Sequence, residues 1–465
     1  MIESVPQIPP DTRAAHRRLS PAAERFLEHL LAHPDQAAQL EGFENRPPDW
    51  LVPYYVTWPT LVDARRVAEM ERAAVGMCKL VKAIPAVVFG GDLGAIAEFY
   101  GYDPILLAAL FAVRNHMNST VARCDFIDTP GGLMCCEVNL ACNLAGWEDG
   151  FWLERYLRHP VIMDFCAREG ISPAGRDVLA TFCEHMIDDA LDSGVIKAGG
   201  ELNVVVILDE PPTEGARRYV AEVYAELLRR SGRGVTGQLW LSAAPAEELT
   251  FRGMEVYMGE RRAHVFYAFD TKGGFPMQVL RAQLAGKMRV YNGGLTRMWL
   301  DKRNLAVLSE NEGLEAWTEE DRELIRDHVP WTRLVSARTT TWRGAEVQFP
   351  GFLLDHRDDM VLKRGMSSGG ADVHMGRYLA PDVWEAQVRT AVEEGGWIVQ
   401  ERVESRPYIY PPGPGAAPVP TAVIWGLFCT GSRYAGGFLR MLPQGAGEGV
   451  VNRARGAYEG AILEI

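Results

Sequence analysis

Two short stretches, far apart in the chain, carry residues whose chemistry is complementary. The first holds Arg123, Asp125, Glu137 and Asn139 in the run Arg-Cys-Asp-Phe-Ile-Asp-Thr-Pro-Gly-Gly-Leu-Met-Cys-Cys-Glu-Val-Asn. Two carboxylates and an amide oxygen suit magnesium, which takes hard oxygen ligands and binds through one or two carboxylates plus substrate phosphates. Arg123 adds a planar fork of donors that matches a terminal phosphate. The second stretch is Val361-Leu-Lys363-Arg-Gly-Met-Ser-Ser368-Gly369-Gly370. Burying a lysine unpaired on an apolar strand is costly, so Lys363 demands a counter-charge. A phosphate or a carboxylate can serve. The Ser367–Gly370 loop can wrap phosphates with backbone amides. Together the two stretches can hold a nucleoside triphosphate with magnesium.

Two strand-like pieces, 121–127 and 133–140, flank Thr129-Pro-Gly-Gly132 and read as a hairpin. Arg123 and Asp125 are two residues apart, as are Glu137 and Asn139, so each pair shares one face of its strand. A third segment, Asn292-Gly-Gly-Leu-Thr-Arg-Met-Trp-Leu-Asp-Lys302, ends on another lysine at a helix start. Read alone, Lys302 is a surface lysine; its interest lies in its company.

Other chemistries are disfavoured. The Walker spacing and the Rossmann fingerprint are absent. So are H-E-x-x-H and the G-x-S-x-G elbow, and the ten histidines lack ligand spacing. His374, just after the glycine loop, reads as an ordinary polar histidine. The adjacent Cys135 and Cys136 read as small apolar strand residues.

The elements around these motifs follow from pattern. Ser20-Pro21 caps a helix with Phe26, Leu27, Leu30 and Leu31 on one face, and residues 61–82 suit a second helix. Residues 202–208, a helix over 214–230, and strands near 237–242 and 264–269 predict an α/β unit with parallel strands. Asp209-Glu210 is placed to cap that helix. Asp382-x-x-Glu385 reads as a capping box, followed by a strand over Trp397–Glu401. Residues 407–420 suit an exposed Pro/Gly-rich loop, and 421–430 with 434–442 a hairpin around Gly431-Ser432.

At 465 residues the chain predicts more than one domain. A net charge of −13 argues against non-specific nucleic-acid binding. Eight cysteines without a C-x-x-C pair suit reduced thiols and a cytoplasmic home. The N-terminus has no apolar signal core, and the longest apolar run, Ile105 to Val113, is far short of the roughly 20 residues that span a bilayer. A soluble protein without a membrane partner is expected.

In this setting R-x-D, followed by E-x-N twelve residues beyond the aspartate, resembles the metal-binding signature of glutathionylspermidine synthetase-like, circularly permuted ATP-grasp enzymes. Lys302, in its setting before Leu308-Ser-Glu310, resembles a nucleotide-binding lysine of that family. Lys363 resembles the lysine of its V-L-K strand, with Ser368, Gly369 and Gly370 in the phosphate-covering loop. Trp397-Ile-Val-Gln400-Glu401 is similar to the strand whose hinge receives adenine. The metal cluster precedes the lysines, as in the permuted families.

The resemblance implies a mixed α+β and α/β, circularly permuted ATP-grasp fold. Its parts would be a helical N-terminal region over 1–85, a metal-binding part over 86–195, an inserted α/β substrate domain over 196–295 and a nucleotide-binding part with lid over 296–465. It implies ATP and Mg²⁺ as cofactors, with Asp125, Glu137 and Asn139 on the metal. Lys302, Lys363, Ser368, Gly369, Gly370, Gln400 and Glu401 would hold the nucleotide, and Arg123 would be catalytic. The implied reaction activates a carboxylate as an acyl phosphate, which an amine attacks to form an amide, ADP and phosphate. An amino acid or short peptide and an amine are the expected substrates. A small-molecule kinase and a non-catalytic nucleotide-binding protein stay open as alternatives, and a homodimer is compatible with the family. The chain has no room for the amidase domain of bifunctional members, and its first hundred residues resemble no known pattern, so glutathione and spermidine are not carried over as substrates. Arg440 and Asn452, on C-terminal strand or loop pieces, stand outside the main set.

Overall fold

The computed structural model describes residues 8–41, 56–113, 117–140, 146–208, 210–243, 245–268, 276–367, 370 and 372–465. Helices Pro10–Leu19, Pro21–Ala32 and Pro34–Glu41 open it. Ser20 caps the second as its pattern predicts, accepting from the Ala23 amide at 2.9 Å, and Phe26, Leu27 and Leu30 are buried. The helix expected over 61–82 runs from Ala64 to Val87 instead. The first two residues of that stretch, Leu61 and Val62, join Thr60 in a strand that pairs in parallel with Tyr458–Glu464 at the far end of the chain.

That pairing is one edge of the largest sheet. Among the described residues its path runs from 60–62 to 458–464, 433–443, 419–430, 121–129 and 132–139, with Tyr408–Tyr410 beside 419–430. Alternation gives the sheet two unlike faces. Cys124, Phe126, Trp425, Leu427, Leu439 and Met441 point to the face covered by helix Ala64–Val87, whose Met70, Ala74, Met77 and Val81 complete the core there. The opposite face carries the polar residues of the candidate site.

Beneath the covered face lies a buried charge cluster. The side chains of Arg66 and Asp128 are fully buried and pair at 3.1 Å, while Arg66 lies 5.0 Å over the Trp425 ring. Tyr408 donates to the same carboxylate, and Arg406 stands 3.6 Å away. Residues 407–420 thus begin as a buried strand rather than an exposed loop, because Tyr408 and Tyr410 supply apolar surface to the core. Removing one partner of a buried pair leaves the other charge uncompensated, at about 3–5 kcal/mol. Asp128→Ala is therefore expected to lose about that much in urea unfolding. A loss below about 1 kcal/mol would show that the cluster does not hold Tyr408–Tyr410 in place.

A second sheet is parallel, with strands Arg289–Tyr291, Val265–Ala268, Val204–Ile207 and Leu239–Ser242 in that order. Its strand–helix–strand unit follows the sequence pattern, including the helix Glu214–Arg230. The cap is Thr213, which accepts from the Ala216 amide, and not Asp209-Glu210. Asp209 lies outside the described residues.

The third sheet is antiparallel, in the order Thr332–Leu334, Trp397–Glu401, Met360–Arg364 and Val373–Met375. Helix Pro381–Glu394 backs it with Trp384, Val388 and Ala391. The expected Asp382–Glu385 capping box does not form, because Ala380 is the cap and Pro381 takes the first helical position. A capping box does form at Thr318–Asp321, opening helix Glu319–His328. Among the described residues no single helix is long and apolar enough to cross a membrane.

Candidate functional site

The first and third sheets face each other across a cleft of about 1490 Å³. Its floor is the polar face of the large sheet. The hairpin forms as the sequence predicts, with Gly132 at a φ of 126° and the Thr129 hydroxyl bonding the Gly132 carbonyl and the Gly131 amide. Arg123 is directly opposite Asn139, and Asp125 opposite Glu137. The four side chains therefore stand on one face, within cross-strand reach of each other.

Asp125 is the hub. It accepts from Arg123 Nε at 2.8 Å, from Arg440 Nη2 at 2.7 Å and from Asn139 Nδ2 at 3.2 Å. Burial pushes its carboxyl upward, but Arg123 and Arg440 outweigh that and hold it below the ordinary aspartate range. Gly426 lies opposite Asp125 on the neighbouring strand, where a Cβ would come within 3.0 Å of Arg123 Cδ and 3.2 Å of the Phe438 ring. The glycine leaves the lane through which Arg123 reaches Asp125.

The roof supplies the lysines. Lys363 is buried on a central strand of the third sheet and donates to Gln400 Oε1 at 2.7 Å and to the Cys136 carbonyl at 2.8 Å. Gln400 is in turn oriented by donating to Thr332 Oγ1 at 3.1 Å. The ladder shifts between Asp125 and Phe126, leaving Cys136 as an extra residue on its strand, and it is this residue's carbonyl that meets Lys363. Lys302 precedes helix Arg303–Glu310 and is buried rather than a surface lysine. Its ammonium pairs with Glu137 Oε1 at 2.9 Å and donates to the Ser367 carbonyl at 2.6 Å.

Lys302, Lys363, Arg123, Asp125, Glu137 and Asn139 thus meet in one cleft, as do Gln400 and Glu401. Gln400 spends its amide oxygen on Lys363, and Glu401 pairs with Arg343 at 2.6 Å. Gly370 lines the cleft with a φ of 73°, where a Cβ would press on Val450 at 3.2 Å. Ser368 and Gly369 lie outside the described residues. His374 stacks on Trp397, with ring centroids 5.8 Å apart, and is not among the residues lining the cleft. Burial pushes both the Cys135 and the Cys136 thiols up, Cys136 to about 11, which suits neither to nucleophilic work.

Arg440 belongs to the site although the sequence reading set it aside, and Glu459, directly across the ladder from Arg440, was not singled out at all. The available signal was the one that marks Lys363: a charge on a strand whose same-face neighbours, Phe438 and Leu442 in the case of Arg440, are apolar.

The electrostatics favour a polyanion. The residues lining the cleft include eight Arg and Lys side chains against the five carboxylates of Asp125, Glu137, Glu401, Glu404 and Glu459, an excess of three positive charges in a partly desolvated cleft. Among the described residues no group of three or more His, Cys, Asp and Glu gathers as a metal site. The donor set here is two carboxylates and an amide, which fits a magnesium ion that shares its shell with phosphate oxygens.

No family model matches the chain, and no curated protein matches it in sequence. Among solved structures it is similar to a glutathione synthetase-like effector, GSS30, from Globodera pallida, in its apo form. The TM-score is 0.56 at 11% identity, and the match covers 95% of this chain and 97% of that one. A likeness at that identity concerns the fold: this is a mixed α/β chain with a glutathione synthetase-like architecture.

Proposed function

We propose that the protein is an ATP-dependent carboxylate–amine ligase of the circularly permuted ATP-grasp type. The convergence of Lys302 and Lys363 from the roof with Arg123, Asp125, Glu137 and Asn139 from the floor carries this reading. The surplus of positive charge along the cleft complements a nucleoside triphosphate carrying one magnesium. The glutathione synthetase-like fold supports a ligase-type chemistry. In this reading 86–195 supplies the metal-binding part, 196–295 an α/β substrate domain and 296–465 the nucleotide part. The strands after residue 408 return to the sheet that carries Asp125.

The chain's own groups would divide the work. Lys302 and Lys363 hold the phosphates and stabilise charge on the transferring phosphoryl group. Arg123 and Arg440 keep Asp125 ionised and oriented, and Gln400 holds Lys363 on its line. Bound by Asp125, Glu137 and Asn139, magnesium would neutralise charge on the phosphate oxygens. The loop over 365–372 would cover the site and exclude water from the acyl phosphate. The carboxylate would be an amino acid or short peptide, its partner an amine, and the cytoplasm the setting.

The test is ADP release by the purified chain from ATP and magnesium chloride against mixed amino acids and amines, with products read by mass spectrometry. A new mass equal to acid plus amine minus water, formed only with both present, is the expected result. ADP formed with a phosphorylated acid and no condensation would replace the ligase reading with a kinase. ATP bound without ADP under any mixture would replace it with a binding protein.

A further inference from the structure

Lys302 and Glu137 are suited to two different halves of one ligand, phosphate and metal, yet they hold each other. The Lys302 ammonium pairs with Glu137 Oε1 at 2.9 Å, with 5% of the lysine side chain and 28% of the glutamate side chain exposed. The pair bridges the cleft, since Glu137 stands on the floor hairpin and Lys302 on the roof, just before helix Arg303–Glu310. The Lys302 amide donates to the Gly365 carbonyl at 3.0 Å and fixes its backbone, while its ammonium also reaches the Ser367 carbonyl at 2.6 Å. The other carboxylate is no freer. Asp125 Oδ1 accepts from Arg123 Nε at 2.8 Å, and Oδ2 accepts from Arg440 at 2.7 Å and from Arg123 Nη2 and Asn139 Nδ2 at 3.2 Å each.

These contacts restrict how a ligand is taken up. A divalent cation arriving alone meets two carboxylates already compensated by protein cations, in a cleft with surplus positive charge. Magnesium and an ammonium on one carboxylate repel each other, so the ion gains Glu137 only when Lys302 lets it go. Lys302 is buried, and a buried ammonium does not leave its counter-ion without another to replace it. A phosphate oxygen is such a replacement. Once Lys302 has turned to phosphate, Glu137 faces that phosphate as an uncompensated anion until a divalent cation comes between them. Each half of the ligand thus creates the need for the other. Asp125 is held by two guanidinium groups at once, so the exchange falls to the Lys302–Glu137 pair.

We propose that the Lys302–Glu137 ion pair is a switch that closes the metal site in the empty cleft and opens it when a nucleoside triphosphate arrives, an inference that rests on the nucleotide reading above. In the empty cleft the ammonium stands in for metal at Glu137, and the carboxylate stands in for phosphate at Lys302. Triphosphate and divalent cation then bind with positive coupling, each raising the affinity for the other by the same factor. Free magnesium is a poor ligand of this chain, and so is metal-free ATP.

The test reads metal and nucleotide binding, so it stands apart from the ligase assay. Free Mn²⁺, a paramagnetic substitute for magnesium, is titrated into the full chain without nucleotide and followed by electron paramagnetic resonance. Lys302→Met is expected to bind it at least about tenfold more tightly than the wild type, because Glu137 is released. Lys363→Met removes a cation from the same cleft without touching Glu137, and its Mn²⁺ affinity should stay within about threefold of the wild type, below the range of a direct coupling. No gain in Lys302→Met, or an equal gain in both variants, would overturn the switch, the latter by showing that net charge alone is at work. In a second arm a non-hydrolysable ATP analogue is titrated by calorimetry with magnesium chloride and with EDTA. Removing the metal is expected to weaken it at least about tenfold in the wild type and at most about threefold in Glu137→Gln, whose Lys302 is free for phosphate in either case. Equal losses in the two proteins, with Glu137→Gln shown by thermal melting to be folded, would overturn the assignment. If Lys302→Met does not fold, this second arm decides, and if Glu137→Gln also fails, equal wild-type affinity with and without metal would overturn it. Metal-coupled analogue binding in a protein that releases no ADP would leave the switch standing and remove the ligase reading. ADP release by a protein whose analogue affinity is indifferent to metal would do the reverse.

Discussion

Lys363→Met is expected to lower magnesium-dependent ATP turnover by about 10²–10³-fold, the usual effect of deleting one preorganised charge-stabilising group. The methionine keeps much of the lysine's length and apolar stem, so the strand Met360–Arg364 retains its packing. What disappears is an ammonium delivered into the cleft between Gln400 Oε1 and the Cys136 carbonyl. Those two acceptors are left without their donor, at about 1–3 kcal/mol for a buried acceptor. That cost is offset in part because a buried charge has also gone. Steady-state ADP release and MgATP affinity, measured together, separate the effects. A phosphate-binding lysine predicts that both fall while the melting temperature moves little. Turnover within threefold of the wild type would remove Lys363 from the site and with it the main support for the ATP reading.

Asp125→Ala is expected to cost about 3 kcal/mol of stability, in addition to abolishing magnesium-dependent turnover. The carboxylate compensates two guanidinium groups at once, Arg123 at 2.8 Å and Arg440 at 2.7 Å. Both arginines keep some contact with the open cleft, which places the cost at the lower end of that for breaking a buried pair. The same carboxylate gives stability a pH dependence of definite sign. Its folded pKa lies below its unfolded value, which is about 3.9 for a free aspartate. Its contribution is therefore full above that value and is lost as pH falls through the lower, folded one. Urea midpoints between pH 5 and 2 should fall less steeply in Asp125→Asn than in the wild type. Parallel slopes would mean that the two arginines do not hold Asp125 ionised.

Much of the site is legible in the linear sequence because its units are local. The hairpin announces itself through alternation on both sides of Thr-Pro-Gly-Gly, and a period of two is enough to put Arg123 with Asp125 and Glu137 with Asn139. Lys363 stands out because an ammonium in the apolar run Met360–Leu362 cannot be left unpaired. The parallel unit around helix Glu214–Arg230 follows from element order and length alone. In each case the determining interactions lie within a dozen residues or one crossover.

Packing decided the remainder. Residues 60–62 form a strand instead of a helical turn because Tyr458–Glu464, almost four hundred positions away, offers a parallel edge. The pattern at Asp382 suits a capping box, but Pro381 already fills the first helical position and Ala380 becomes the cap. Tyr408 leaves its Pro/Gly-rich stretch for the core because Arg66 and Asp128 form a buried pair that needs its hydroxyl. Arg440 and Glu459 enter the cleft through the last two strands, which reach Asp125 only when the sheet closes. Sequence alone determined which faces are polar and which charges demand partners. The tertiary structure alone decided who the partners are. Distance, burial and charge between residues remote in the chain exist only once the sheets have met.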